Sequence, residues 1–149
     1  MGADHIFVSF DLEHVAGREL TRITHFNNTN WTLSPDGRKL AIFLNRHQIR
    51  FLSLDTGVAR DVSIDNWPPS GGDWSADGES VFMPSVTSKH TQVILRVNEA
   101  GKAEVVLEGD ANTMFWWMLQ SPDGRYGMLE AKVPGDNNAW INVWMVKNI

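Results

Sequence analysis

Ser34-Pro35-Asp36-Gly37, Ser75-Ala76-Asp77-Gly78 and Ser121-Pro122-Asp123-Gly124 are three copies of one phrase, and each introduces a stretch in which apolar and polar residues alternate. Their serines stand 41 and 46 positions apart. Local chemistry explains the wording. Proline fixes φ near −65° at the first corner of a turn, aspartate tolerates the next, glycine takes a left-handed conformation, and serine hydrogen-bonds across the loop. Each copy is therefore expected to close a tight hairpin. One Asp-Gly would carry little; three in register, with the same strand pattern on both sides, define a repeat.

Outward from the first copy, Leu40 to Leu44 reads as a short buried strand and Gln48 to Leu54 alternates as a half-exposed one. Asp55-Thr56-Gly57 then forms a turn, and Ala59 to Ile64 returns as the next strand. The second copy repeats the order, with Gly72-Asp73-Trp74 before it, then Ser80 to Met83, Thr91 to Val97, a turn over Asn98 to Lys102, and Ala103 to Leu107. The third is led by Phe115 to Leu119 and followed by Tyr126 to Ala131 and Trp140 to Val146. Near the start, Ile6 to Asp11 and Glu19 to Thr24 align with the last two strands of the later units. In four-strand terms the chain reads CD, ABCD, ABCD, ABC, with units over 1–29, 30–64, 65–109 and 110–149. Four strands per period of this length is the grammar of a β-propeller blade, not of a helical solenoid, a leucine-rich repeat or collagen. The expected fold is all-β: about three blades of four antiparallel strands, forming part of a propeller.

Composition bounds the rest. The chain has 149 residues, of which 42% are hydrophobic and 21% charged, enough for one ordinary core. A net charge of −5 and the lack of any basic run longer than two residues argue against a nucleic-acid partner. No apolar stretch nears the roughly 20 residues of a membrane-spanning helix, so no membrane partner is expected. Met1-Gly2-Ala3-Asp4 lacks the charged start and apolar middle of a secretory signal, and the compartment stays open. With no cysteine there is no disulfide framework and no thiolate metal site. Seven Trp and seven Phe against a single Tyr suit sheets stacked face to face through bulky side chains.

With these residues in view, the chain resembles the TolB-type β-propellers, whose WD40-like repeat is built on a Trp-Ser-Pro-Asp-Gly core followed by an apolar strand. Trp74-Ser75-Ala76-Asp77-Gly78 keeps the Trp and loses the Pro. Leu33-Ser34-Pro35-Asp36-Gly37 and Gln120-Ser121-Pro122-Asp123-Gly124 keep the Pro and lose the Trp. Asn142 to Asn148 is also similar to the closing strand of bacterial proteins that carry such a propeller behind a kinase or DNA-binding domain. The resemblance implies the C-terminal part of a larger bacterial propeller, a ring with a central channel that acts as a platform for protein or peptide contacts. It implies a sensor or interaction domain, not an enzyme. Two alternatives stay open: an accessory propeller of a prolyl-oligopeptidase-like peptidase, and a carbohydrate-binding or lyase propeller. The peptidase itself is not encoded here, because no Gly-x-Ser-x-Gly elbow is present.

The chemistry-bearing residues point the same way. The five histidines are scattered, with no His-Glu-x-x-His, so neither a metal nor a cofactor is expected. No Ser, Thr or Lys carries an activating signature. His47 and His90 fall between strands B and C of neighbouring blades, on the face where the long loops 65–71, 110–115 and 133–138 converge. With Trp67, Trp116 and Trp117, which could anchor a peptide or carbohydrate, they form the candidate binding set. About three blades do not close a ring, and unpaired edges invite association. The expected assembly is therefore a homodimer of six blades, with Glu19 to Thr24 of one chain beside Trp140 to Val146 of the other. In that scheme Ile6 to Phe10 competes for the place of Ala139 to Val146.

Overall fold

A computed structural model describes residues 3–11, 13–26, 30–45, 47–64, 71–110, 113–132 and 140–143. All regular elements among them are strands, and all strand pairing is antiparallel. The first sheet is a hairpin of β1 (Ala3–Asp11) and β2 (Ala16–Phe26). The second has β3 (Trp31–Leu33), β4 (Lys39–Asn45), β5 (Gln48–Ser53) and β6 (Ala59–Ser63) in sequential order. The third repeats this with β7 (Asp73–Trp74), β8 (Ser80–Val86), β9 (Gln92–Asn98) and β10 (Ala103–Glu108). The fourth contains β11 (Met114–Gln120), β12 (Gly127–Lys132) and β13 (Trp140–Val143).

The three repeated phrases form superimposable turns. Ser34 donates its hydroxyl proton to Asp36 Oδ1 (2.6 Å) and accepts the Lys39 amide (2.9 Å), while Asp36 Oδ1 also accepts the Arg38 amide. Ser75 and Asp77 make the same contacts with Glu79 and Ser80, and Ser121 and Asp123 make them with Arg125 and Tyr126. Gly37, Gly78 and Gly124 have φ of 72°, 67° and 72°, and each donates its amide proton to the serine carbonyl. That left-handed corner is why glycine stands there. Serine and aspartate carry the turn's hydrogen bonds, so Ala76 can replace proline without losing any of them.

Alternation along the strands sends side chains to both sides of each sheet, and both sides are covered. Ala41, Phe43, Ile49 and Phe51 of the second sheet meet Trp74, Val81, Met83, Val93, Leu95 and Val97 of the third. Phe82 and Ile94 leave the third sheet's other face to pack on Phe115, Met118, Leu129 and Ala131 of the fourth. Leu40, Ile42 and Leu52 leave the second sheet's other face toward Phe7, Leu20 and Ile23 of the first. A strand sandwiched on both faces reads as a continuous apolar run, which is why Leu40 to Phe43 is buried throughout. The last strands, β6 and β10, are largely exposed.

Polar locks fix one sheet against the next. Thr32 Oγ1 donates to Asp73 Oδ1 (2.7 Å), and Trp74 Nε1 donates to the Thr32 carbonyl (3.1 Å). Trp74 also stands edge-on to Phe51, with centroids 5.6 Å apart. Between the third and fourth sheets Gln120 Oε1 accepts the Ala76 amide (2.7 Å), while its Nε2 donates to the Gly124 carbonyl. Arg18 ties the first hairpin to the second sheet through the Leu54 carbonyl (2.7 Å).

Candidate functional site

Strand direction assigns the connections to two ends of the sheets. The Ser-x-Asp-Gly turns and the β5–β6 and β9–β10 turns share one end; the β4–β5 and β8–β9 turns share the other with the links from sheet to sheet. His47 and His90 both lie at this second end, on neighbouring sheets, and both are exposed. His47 is held through its backbone: its amide donates to Asn45 Oδ1 (2.8 Å) and its carbonyl accepts the Ile64 amide (2.7 Å). His90 closes a turn in which Thr87 Oγ1 accepts the Lys89 and Thr91 amides, and it sits at φ of 62°. A β-carbon in that region is strained, so a histidine closes this turn at a cost that glycine would not carry.

Trp117 belongs to the same end. Its six-membered ring lies against Gly71, where an added Cβ would come within 3.0 Å of Cζ3 and 3.1 Å of Asn30 Nδ2. At Gly72 a Cβ would meet the Phe82 carbonyl oxygen at 2.3 Å. The two glycines let the chain enter the third sheet beneath the Trp117 ring. Trp116 separates from this group: it occupies the bulge where the β11–β12 register slips, and the residue is 49% exposed on the fourth sheet. Trp67 and the loop 65–70 lie outside the described residues, as does 133–139.

Ionisable groups are tied into turns and surface pairs. Arg50 grips Asp61, its directly opposed partner on β6, through two bonds of 2.7 and 2.8 Å. That grip lowers the Asp61 carboxyl and raises the guanidinium. The Ser34 hydroxyl and the Arg38 amide hold Asp36 below the usual carboxylate value. At Asp77 burial opposes ionisation, yet the Ser75 hydroxyl, the Glu79 amide and Arg96 together prevail and the value is again lowered. Asp123, bonded by the Ser121 hydroxyl and by the amide and side chain of Arg125, falls to about 2. Among the described residues no three His, Asp or Glu side chains gather as a metal site would require.

Sequence reasoning missed the concavities. A polar groove of about 480 Å³ at the turn end is lined by Lys39, Arg60, Arg96, Glu99 and Lys102, with the Lys39–Glu99 ion pair (2.8 Å) inside it. A second cleft of about 390 Å³ runs along β1 against Trp31 and Leu40. Neither has a motif; each exists only because two sheets splay apart.

Radially stacked four-stranded antiparallel sheets with sequential strand order are blades, and the chain has the fold of a β-propeller. The sequence matches no protein-family model and no curated protein. Solved structures match across nearly the whole chain. Oligogalacturonate lyase from Vibrio parahaemolyticus is 17% identical with a TM-score of 0.72, over 95% of this chain and 43% of that one. TolB from Acinetobacter baumannii is 17% identical with a TM-score of 0.62, over 92% and 36%. The Myceliophteria thermophila Cps50 (Swd1) β-propeller domain is 17% identical with a TM-score of 0.61, over 85% and 42%. This chain thus spans less than half of each of these three propeller-fold structures, and the likeness is one of architecture: a TolB-like propeller, present in part.

Proposed function

We propose that the chain is a non-catalytic propeller scaffold that binds a protein or peptide on the end bearing His47, His90 and Trp117. The observation that carries this reading is the state of the acids. Among the described residues Asp11, Asp36, Asp61, Asp77 and Asp123 are each displaced downward, Asp11 first by the His14 side chain and the others by turn amides, hydroxyls or arginine. A general acid working near neutrality needs the opposite shift. Two exposed histidines, at the end of the sheets where the half-buried Trp117 ring lies against Gly71, offer hydrogen-bonding groups for an extended chain. A bacterial origin and a role as the interaction module of a larger protein accord with the likeness to TolB, and an aqueous compartment suits the charged turns.

The likeness to a lyase supplies the competing reading, a propeller acting on acidic oligosaccharides. One experiment separates them. Peptides are selected from a random display library on the immobilised protein and titrated by calorimetry, and the same protein is incubated with oligogalacturonate. The scaffold reading predicts micromolar peptide binding that falls at least about tenfold in His47→Ala and His90→Gly, without turnover. Release of unsaturated sugar, or a selected peptide indifferent to both changes, contradicts it.

A further inference from the structure

The chain has three Asp-Gly steps, and all three are the repeated turns. Asp-Gly is the step at which a side-chain carboxyl is most open to its own main chain, because glycine brings no Cβ to shield the next nitrogen. There the glycine nitrogen gives up its proton and bonds to the aspartate Cγ, a carboxyl oxygen leaves as water, and a five-membered succinimide closes. Water reopens that ring at either carbonyl, giving back aspartate or giving isoaspartate. Composition and oxidation state are unchanged, so nothing but water takes part. The carboxyl must meet two conditions: the departing oxygen has to take up a proton, and the group has to be free to turn onto the nitrogen.

The three turns share their hydrogen bonds at the glycine amide and at one carboxylate oxygen. Gly37, Gly78 and Gly124 each donate to a serine carbonyl, at 2.9, 2.9 and 2.8 Å, and each aspartate Oδ1 accepts a hydroxyl and an amide. They differ at Oδ2. Asp77 Oδ2 accepts from Arg96 at 3.1 Å and Asp123 Oδ2 from Arg125 at 2.7 Å, whereas Asp36 Oδ2 has no partner among the described residues. A guanidinium on the departing oxygen opposes its protonation and pins the carboxyl. Access of water does not separate the three, since the Asp77 and Asp123 side chains are 53% and 45% exposed and Asp36 is exposed as well. Nor does local sequence, because Ser34-Pro35-Asp36-Gly37-Arg38 and Ser121-Pro122-Asp123-Gly124-Arg125 are letter for letter the same. The next residue differs. Arg125 stacks on the Tyr126 ring, 5.7 Å from Cζ to the centroid, while Arg38 is followed by Lys39 and has turned to Asp55, with Nε 3.8 Å from Oδ2.

We infer that Asp36 is a site of spontaneous covalent modification, converting to isoaspartate while Arg96 and Arg125 guard the same step at Asp77 and Asp123. The product puts an extra methylene into the main chain of the β3–β4 turn and withdraws the acceptor of the Ser34 hydroxyl. It does so beside the strand whose Thr32 is locked to Asp73 of the third sheet. The inference is independent of the proposed function.

The test is to hold the folded chain at neutral pH, digest samples over time, and locate isoaspartate by electron-transfer fragmentation; aspartate isomerises without a mass change, which separates it from asparagine deamidation. Isoaspartate at position 36 should accumulate at least about tenfold faster than at 77 or 123. In urea, where the turns are gone, the rates at 36 and 123 should converge. Arg125→Gln, a change at an exposed side chain, should bring position 123 up to the rate of position 36. Equal rates in the folded chain overturn the inference. So does a ranking of 36 over 123 that persists in urea, or a position 123 unmoved by Arg125→Gln. The ranking itself is read on the unaltered protein, so the outcome does not hinge on a variant folding.

Discussion

At the residue scale, the repeated phrase is a hydrogen-bonding device before it is a proline turn. The serine hydroxyl spends its proton on the aspartate and its lone pair on the amide five residues on, and the aspartate takes a second amide. An ionised aspartate is the better acceptor, so its pKa is lowered, most of all at Asp123. The sign follows: a folded value near 2, below the usual 3.8, makes the turn's contribution complete above about pH 4 and lost as pH falls through 2. Carboxyl-detected NMR titration should place the Asp123 midpoint near 2, and Ser121→Ala should move it upward; an unmoved midpoint would mean the hydroxyl is not the cause. His90 is the second residue-scale case. His90→Gly should stabilise the fold by about 0.5–1 kcal/mol, since φ of 62° suits glycine, and urea denaturation reads the change.

At the element scale, the interlocked inner strands do the joining. Trp74→Phe keeps an aromatic edge for Phe51 but deprives the Thr32 carbonyl of its indole donor, and should cost about 1–2 kcal/mol by thermal or chemical unfolding. Gly72→Ala should cost about 1–3 kcal/mol or more, because the new methyl meets the Phe82 carbonyl, which belongs to a paired strand and cannot move aside cheaply. The strands themselves were legible. Leu40 to Leu44, Ala59 to Ile64 and Ala103 to Leu107 fall on β4, β6 and β10 because alternation and turn residues are local signals. The locks were not, since nothing in the letters around Thr32 or Gln120 announces a partner 41 or 44 residues away. Trp74 was visible as part of a motif, but its bond to the neighbouring sheet is a tertiary fact.

At the scale of the whole molecule, stability is a chain of nearest-neighbour contacts: first sheet on second, second on third, third on fourth. The period of the repeat made that order readable in the sequence. The candidate site was readable only as an end of the stack, because side-chain direction depends on details such as the β11 bulge at Trp116, which breaks the alternation that sequence reading relies on. The account stands on the second and third sheets being packed face to face, and the Trp74 indole is the probe placed between them. A nuclear Overhauser experiment on the indole N–H should show cross-peaks to Thr32 and to the Phe51 ring, with exchange against water slowed by orders of magnitude. An indole proton that exchanges freely and shows neither contact would contradict the stacked-blade account.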